Sequence, residues 1–150
     1  MKKVIIISLV GVLASFVISS CSSSSPATPD QCVLQYYNYI IDNDTKCLDL
    51  MAIRFVGGTD KEREKTNTEL DKNIERNNGN LSDVFFRYNG KLTKVELIPN
   101  NKGGAYTETK SRILPDAEAA EVTVKLEFEN GKTQKETNIA VKIDGKWKLY

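Results

Sequence analysis

Histidine is missing from this chain of 150 residues. Its absence removes the commonest general base at neutral pH, the commonest zinc ligand and every triad built on an imidazole. Neither sign of charge is in excess: 21 Lys and Arg stand against 20 Asp and Glu, a formal +1. Domains that hold nucleic acid carry a strong basic excess, so no nucleic acid is expected as a partner. Glycine is scattered, and the pairs Gly57-Gly58 and Gly103-Gly104 read as loops, because no glycine-rich phosphate cradle follows a strand. Asp42-Asn43-Asp44 lacks the spaced acids and closing Glu of a calcium loop and reads as a helix-ending turn. These residues imply no metal and no cofactor. Long apolar runs are equally scarce, and the clearest stands at the N-terminus.

There Lys2 and Lys3 precede Val4 to Ile18, an apolar stretch of ~15 residues that is shorter than a spanning helix needs and suits a signal peptide. Ile18-Ser19-Ser20-Cys21 then sets an aliphatic residue and two small ones ahead of a cysteine. This resembles the bacterial lipobox. The resemblance implies a lipoprotein signal peptide over residues 1–20, diacylglycerol on the Cys21 thiol, cleavage before Cys21 and acylation of its new amine. Two or three acyl chains on one residue exceed the two signals that stable anchoring needs, at ~0.8 kcal/mol per buried CH₂. The membrane, through this lipid anchor, is thus one expected partner. Residues 21–28 follow as the lipidated Cys and a Ser-rich tether, and Ser22 to Ala27 span at most ~20 Å when extended. With Lys2 and Lys3 removed, the net charge of the mature chain falls to about −1. Ser22 beside the anchor, under the rule known from enteric bacteria, and a tether with no acidic run lead to an expected place in the cell envelope, on the outer membrane facing the periplasm.

Residues 29–150 form the expected folded unit. Thr28-Pro29-Asp30-Gln31 reads as an N-cap, a proline in the first turn, a first-turn acid and the closing Gln of a capping box. Cys32, Val33, Leu34, Tyr36, Tyr37, Ile40 and Ile41 then sweep a broad apolar arc of a helix that stops near Asp42. A second short helix is expected from Thr45 to Phe55, capped by Asp44. A third, charged and solvated, runs from the box Thr59-Asp60-Lys61-Glu62 to about Asn77, with little more than Leu70 and Ile74 as its apolar spine. Cys32 and Cys47 invite a disulfide in an oxidising envelope. But Cys32 lies ~15 Å from the far end of the first helix at 1.5 Å per residue, and a bridge needs Cα atoms within ~7 Å. Two free, buried thiols are expected.

Beyond Gly79 the period becomes 2. Asp83–Tyr88, Leu92–Ile98 and Tyr106–Leu114 read as strands, and Glu118–Glu129 alternates with Val122, Val124, Leu126 and Phe128 on one face. Asn130-Gly131 is a hairpin signal. A two-residue loop there sets Val122 opposite Ile139 and Lys125 opposite Glu136, bringing Ile139, Val141 and Ile143 to the inner face. At Asp144-Gly145, a three-residue bulged turn is expected instead, pairing Ile143 with Trp147 and burying the indole near Tyr37 or Ile40.

The order of helices, then strands, gives an α+β arrangement of N-terminal helices on a curved antiparallel sheet. Thr28-Pro29-x-x-Cys32-Val33-x-x-Tyr36-Tyr37, Asp42-Asn43-Asp44 and the closing Ile143-Asp144-Gly145-Lys146-Trp147-Lys148-Leu149 resemble the nuclear-transport-factor-two-like (NTF2-like, or cystatin-like) small lipoproteins. The resemblance covers most of the mature chain and implies a cone: a bent sheet wrapped around the first helix, often enclosing a pocket. Many such bacterial lipoproteins have no known function. Enzymes on this fold place an Asp or His base and a tyrosine or acid oxyanion hole inside the cone. Here Tyr36, Tyr37, Tyr39 and Trp147 are the candidate pocket lining, while Glu121, Glu127 and Glu129 alternate outward and no acid is directed inward. No catalytic residue is assigned. The expected function is a membrane-anchored, non-catalytic binding or accessory domain for a small molecule or envelope protein. A structural envelope partner with a filled cone, or an enzyme using the cone's pocket, are the alternatives.

Overall fold

The first helix is the rod on which the remaining elements close. In the computed structural model, which describes residues 25–56 and 58–150, α1 spans Pro29–Ile41. The expected signal peptide and lipidation site, Cys21, lie outside the described residues. Cys32, Val33, Tyr36, Tyr37 and Ile40 form a buried stripe along α1, the i, i+1, i+4, i+5, i+8 spacing of one helix face. Its expected capping box is not made. Gln31 Oε1 accepts from the Ala27 amide at 3.2 Å, and the buried Thr28 hydroxyl has no partner.

The expected second helix is instead two 3₁₀ segments, Thr45–Leu50 and Ala52–Arg54, with Asp44 accepting from the Lys46 amide at the start. Met51 separates them in an extended conformation and bridges Leu149 in parallel, so a sheet contact replaces the helical turn. Helix α2, Asp60–Arg76, opens on the expected box: Thr59 and Glu62 each accept from the other's backbone amide, at 3.3 and 2.6 Å. None of its residues is buried, and Leu70 and Ile74 rest against the edge of the core.

Asp83–Tyr88 is not a strand. Asn80 caps a short helix, α3 (Leu81–Phe86), by accepting from the Asp83 amide at 3.3 Å. The Leu81 amide donates to Asn43 Oδ1 at 2.8 Å, tying α3 to the end of α1. This geometry sends Phe85 toward Tyr36 and Phe86 toward Tyr37 and Phe128, at centroid distances of 6.0, 6.3 and 5.4 Å. Those aromatic contacts favour a helix where the local pattern favoured a strand.

The sheet contains β1 (Leu92–Ile98), β2 (Thr107–Lys110), β3 (Glu118–Phe128), β4 (Thr133–Ile143) and β5 (Lys146–Leu149). It is antiparallel in the order β1-β3-β4-β5, and β2 also pairs with β3. The expected Tyr106–Leu114 strand is thus shortened to β2. A bulge between Leu92 and Lys94 lets Leu92, Val95 and Leu97 share the face of Phe128, Leu126 and Val124. Helices followed by a curled antiparallel sheet make this an α+β cone.

Both hairpins turn in the way opposite to expectation. At Glu129-Asn130-Gly131 the Gly131 amide donates to Phe128 O and the Phe128 amide to Lys132 O, each at 2.9 Å. Only Gly131 takes a positive φ (+79°), so this is a three-residue turn ending in a glycine bulge. Asn130 is held by one tertiary and one local contact: its Nδ2 donates to Asn89 O at 2.8 Å and its Oδ1 accepts from the Lys132 amide at 3.0 Å. Val122 therefore lies opposite Asn138, Val124 opposite Glu136 and Lys125 opposite Lys135. Asn138, Glu136 and Gln134 take the inner face, and Ile139, Val141 and Ile143 the outer. At Asp144-Gly145 both residues have positive φ (49° and 75°), the signature of a two-residue turn. Ile143 pairs with Lys146, and Trp147 with Lys142. The two shifts cancel for Trp147, which reaches the inner face and the core by another register.

Candidate functional site

Tyr36 and Tyr37 lie in the packed interior of the cone, 7% and 4% exposed. Their rings meet edge to face at 5.2 Å and continue through Phe85, Phe86 and Phe128 as an aromatic column. Burial pushes the Tyr36 phenol far above its ordinary value. It pushes Tyr37 up to about 12, against the lowering effect of the hydrogen bond that Tyr37 donates to Asn138 Oδ1 at 2.9 Å. Neither ring lines any of the clefts described below.

Tyr39 and Trp147 do come together. They line a cleft of about 220 Å³ between α1, the Thr45–Leu50 segment and β5. Gln35, one turn before Tyr39 on α1, donates to the Tyr39 hydroxyl at 2.8 Å. Lys46 sits 5.9 Å over the Tyr39 ring, while its ammonium pairs with Asp44 at 3.2 Å. Lys148 donates to the Asp49 carbonyl and lies 4.5 Å over the exposed ring of Phe55. Burial lowers the Lys148 pKa, and Asp49 partly restores it. Ser25 and Pro26, within the expected tether, also line the cleft.

On its other side Trp147 forms part of a second cleft, of about 310 Å³, with Tyr106, Glu108, Glu118 and Ala120. Lys142 lies 5.7 Å over the indole and pairs with Glu118 at 3.1 Å. The expectation of no inward acid does not hold, because Glu136 shares the inner face of β4. It accepts from Gln134, and Gln134 accepts in turn from Asn89 at 2.7 Å. The alternation of β4 alone does not reveal this polar row, because the hairpin register decides which set of its residues turns inward. Of the cleft's residues the sequence offered Tyr39 and Trp147; Gln35 lies one helical turn before Tyr39, and the lysines come from two distant segments and carry no local signal.

The two described thiols offer no nucleophile. Cys32 and Cys47 are free and buried. Burial pushes Cys32 up to about 12 and Cys47 up to about 11, and a thiol is reactive only as its thiolate. Among the described residues no group of three or more acids and cysteines gathers to hold a metal, and no helix is long and apolar enough to cross a membrane.

A solved structure, a candidate NTF2-like transpeptidase from Campylobacter jejuni, superposes with a TM-score of 0.50 at 15% identity, covering 81% of this chain and 96% of that one. The fold is NTF2-like. At this identity the likeness extends to the fold alone. No family model matches the chain, and no curated protein matches it.

Proposed function

We propose that this chain is a membrane-anchored bacterial lipoprotein of the cell envelope, lipidated at Cys21, whose NTF2-like domain is a non-catalytic accessory module. Its partner binds at the surface of the cone and not inside it. The observation that carries this reading is the filled interior, where the rings of Tyr36 and Tyr37 pack against Phe85 and Phe86 in the space an enclosed ligand would need. Transpeptidation, the activity in the Campylobacter protein's name, has less support here. It needs an activated nucleophile, whereas the chain has no histidine and its described thiols are held neutral by burial. Ser22 next to the anchor favours the outer membrane, facing the periplasm.

A small-molecule role has the two Trp147 clefts in its favour, whose volumes of about 220 and 310 Å³ lie below and at the lower end of the ~300–1,000 Å³ of most ligand sites. The test is purification of the lipidated protein from membranes in mild detergent, with mass spectrometry of bound proteins and small molecules. Cys21→Ala serves as the control for anchoring. The expected outcome is an envelope protein in constant ratio to this chain, with no small molecule retained by the domain and no detergent-phase partitioning of Cys21→Ala. A stoichiometric small molecule that leaves only on unfolding would overturn the surface reading. Membrane retention of Cys21→Ala after a high-salt wash would overturn the anchor.

A further inference from the structure

The tether determines which face of the domain meets the bilayer. Cys21 and Ser25 are four residues apart, so at 3.3–3.6 Å per residue their Cα atoms are separated by at most ~14 Å. Ser25 and Pro26 form one wall of the Tyr39–Trp147 cleft. A lipid on Cys21 therefore holds this cleft, rather than any other part of the cone, within a short reach of the headgroups.

The chemistry of that face suits the position. Lys46, Lys146 and Lys148 line the cleft with a single acid, Asp49, in a chain that is otherwise near neutrality. Lys46 and Lys146 are exposed, although Lys46 shares its charge with Asp44. Beside Lys148 stands Phe55, 48% exposed, and Ile53, two residues earlier, is 44% exposed. Exposed aromatic and aliphatic side chains flanked by lysines whose stems lie along apolar surface are the composition of an interfacial contact. The Asn130-Gly131 turn lies at the other end of β4 from the Asp144-Gly145 turn, and the 11 residues of that strand span roughly 35 Å at 3.2–3.4 Å per residue.

We infer that this face docks on the bilayer that holds the anchor, with Lys46 and Lys146 against anionic headgroups and Ile53 and Phe55 at the interfacial layer. The inference rests on the lipid-anchor reading above. It implies a fixed orientation in which the distal Asn130 end of the sheet points away from the membrane and is left free for a partner.

The test uses the full chain, processed and lipidated in a bacterial host and reconstituted in vesicles of phosphatidylethanolamine and phosphatidylglycerol. A dye is attached at Ile53→Cys or, in a separate variant, at Lys132→Cys, where Lys132 adjoins the distal turn. Burial keeps Cys32 and Cys47 from reacting. Quenching by a lipid-borne nitroxide is expected to be several-fold stronger at position 53 than at 132. That contrast should collapse in high salt, which screens exposed charges, and also when K46E and K146E are added. Equal quenching at the two positions, or a contrast that K46E/K146E leaves unchanged, would overturn the docked orientation. Detergent-phase partitioning of the same samples reads the anchor separately. If it persists, such a failure strikes this inference alone; if it is lost, the lipid-anchor reading falls and this inference falls with it.

Discussion

Tyr37 ties the first helix to the sheet through a single hydroxyl. Its O–H donates to Asn138 Oδ1 at 2.9 Å, and Asn138 Nδ2 is buried without a partner. Tyr37→Phe removes the donor and leaves both ends of that amide unsatisfied. Urea denaturation is expected to show a loss of about 1–2 kcal/mol, the range for a buried acceptor deprived of its partner. A change near zero would mean that Asn138 finds another donor. The buried acids act at high pH. The Cys32 and Cys47 thiols rise from 9.0 to about 12 and about 11, and the Tyr37 phenol from 10.0 to about 12. In each case the folded state holds its proton where the unfolded chain has released it. The contribution to stability is thus complete below pH 9.0 and falls as pH rises toward 11 and 12. Denaturant titrations should show this alkaline decline, and it should begin later in a Cys32→Ala/Cys47→Ala variant, where only the buried phenols of Tyr36 and Tyr37 remain. Rapid reaction of native Cys32 or Cys47 with a thiol reagent at pH 8 would contradict the account.

At the level of elements, the register of the β3–β4 hairpin decides what the cone contains. Val122 is fully buried on the inner face, while Ile139 lies on the outer face opposite Glu121 and is half-buried. Val122→Ala is expected to cost about 2–4 kcal/mol as a core truncation, and Ile139→Thr less than about 1 kcal/mol. Equal and large losses, measured by the same denaturation, would restore the register in which the two residues face each other. The elements legible in the sequence were those set by short-range chemistry: the Thr59–Glu62 box, the apolar stripe of α1 and the alternation of β3. Those missed depended on distant partners. Asn80 with Asp83 is a helix start, but the choice of helix over strand at Leu81–Phe86 rests on Asn43, Tyr36 and Tyr37, which are remote in the chain. Asn130-Gly131 suits two turn types, and the contact of Asn130 with Asn89 accompanies the longer one. The site was partly legible in the same sense. Tyr39 and Trp147 meet in one cleft, whereas Tyr36 and Tyr37, equally aromatic and on the same helix, fill the core.

For the whole molecule, the arrangement is a cone with an aromatic interior and a cleft lined in part by Ser25 and Pro26, which the proposed anchor would hold near the membrane. The aromatic interior, the lack of histidine and the buried thiols support the proposed reading of this NTF2-like fold as a scaffold that presents surfaces. Its proposed role therefore depends first on being held at the membrane, because a weak surface contact gains effective concentration from confinement. Intact-mass measurement of the protein extracted from bacterial membranes tests this central claim most directly. The predicted species begins at Cys21 and carries a diacylglyceryl group and an amide-linked acyl chain, so that residues 1–20 are gone and the excess mass maps to the N-terminal peptide. A mature chain with an unmodified Cys21, or one that retains residues 1–20, would contradict it.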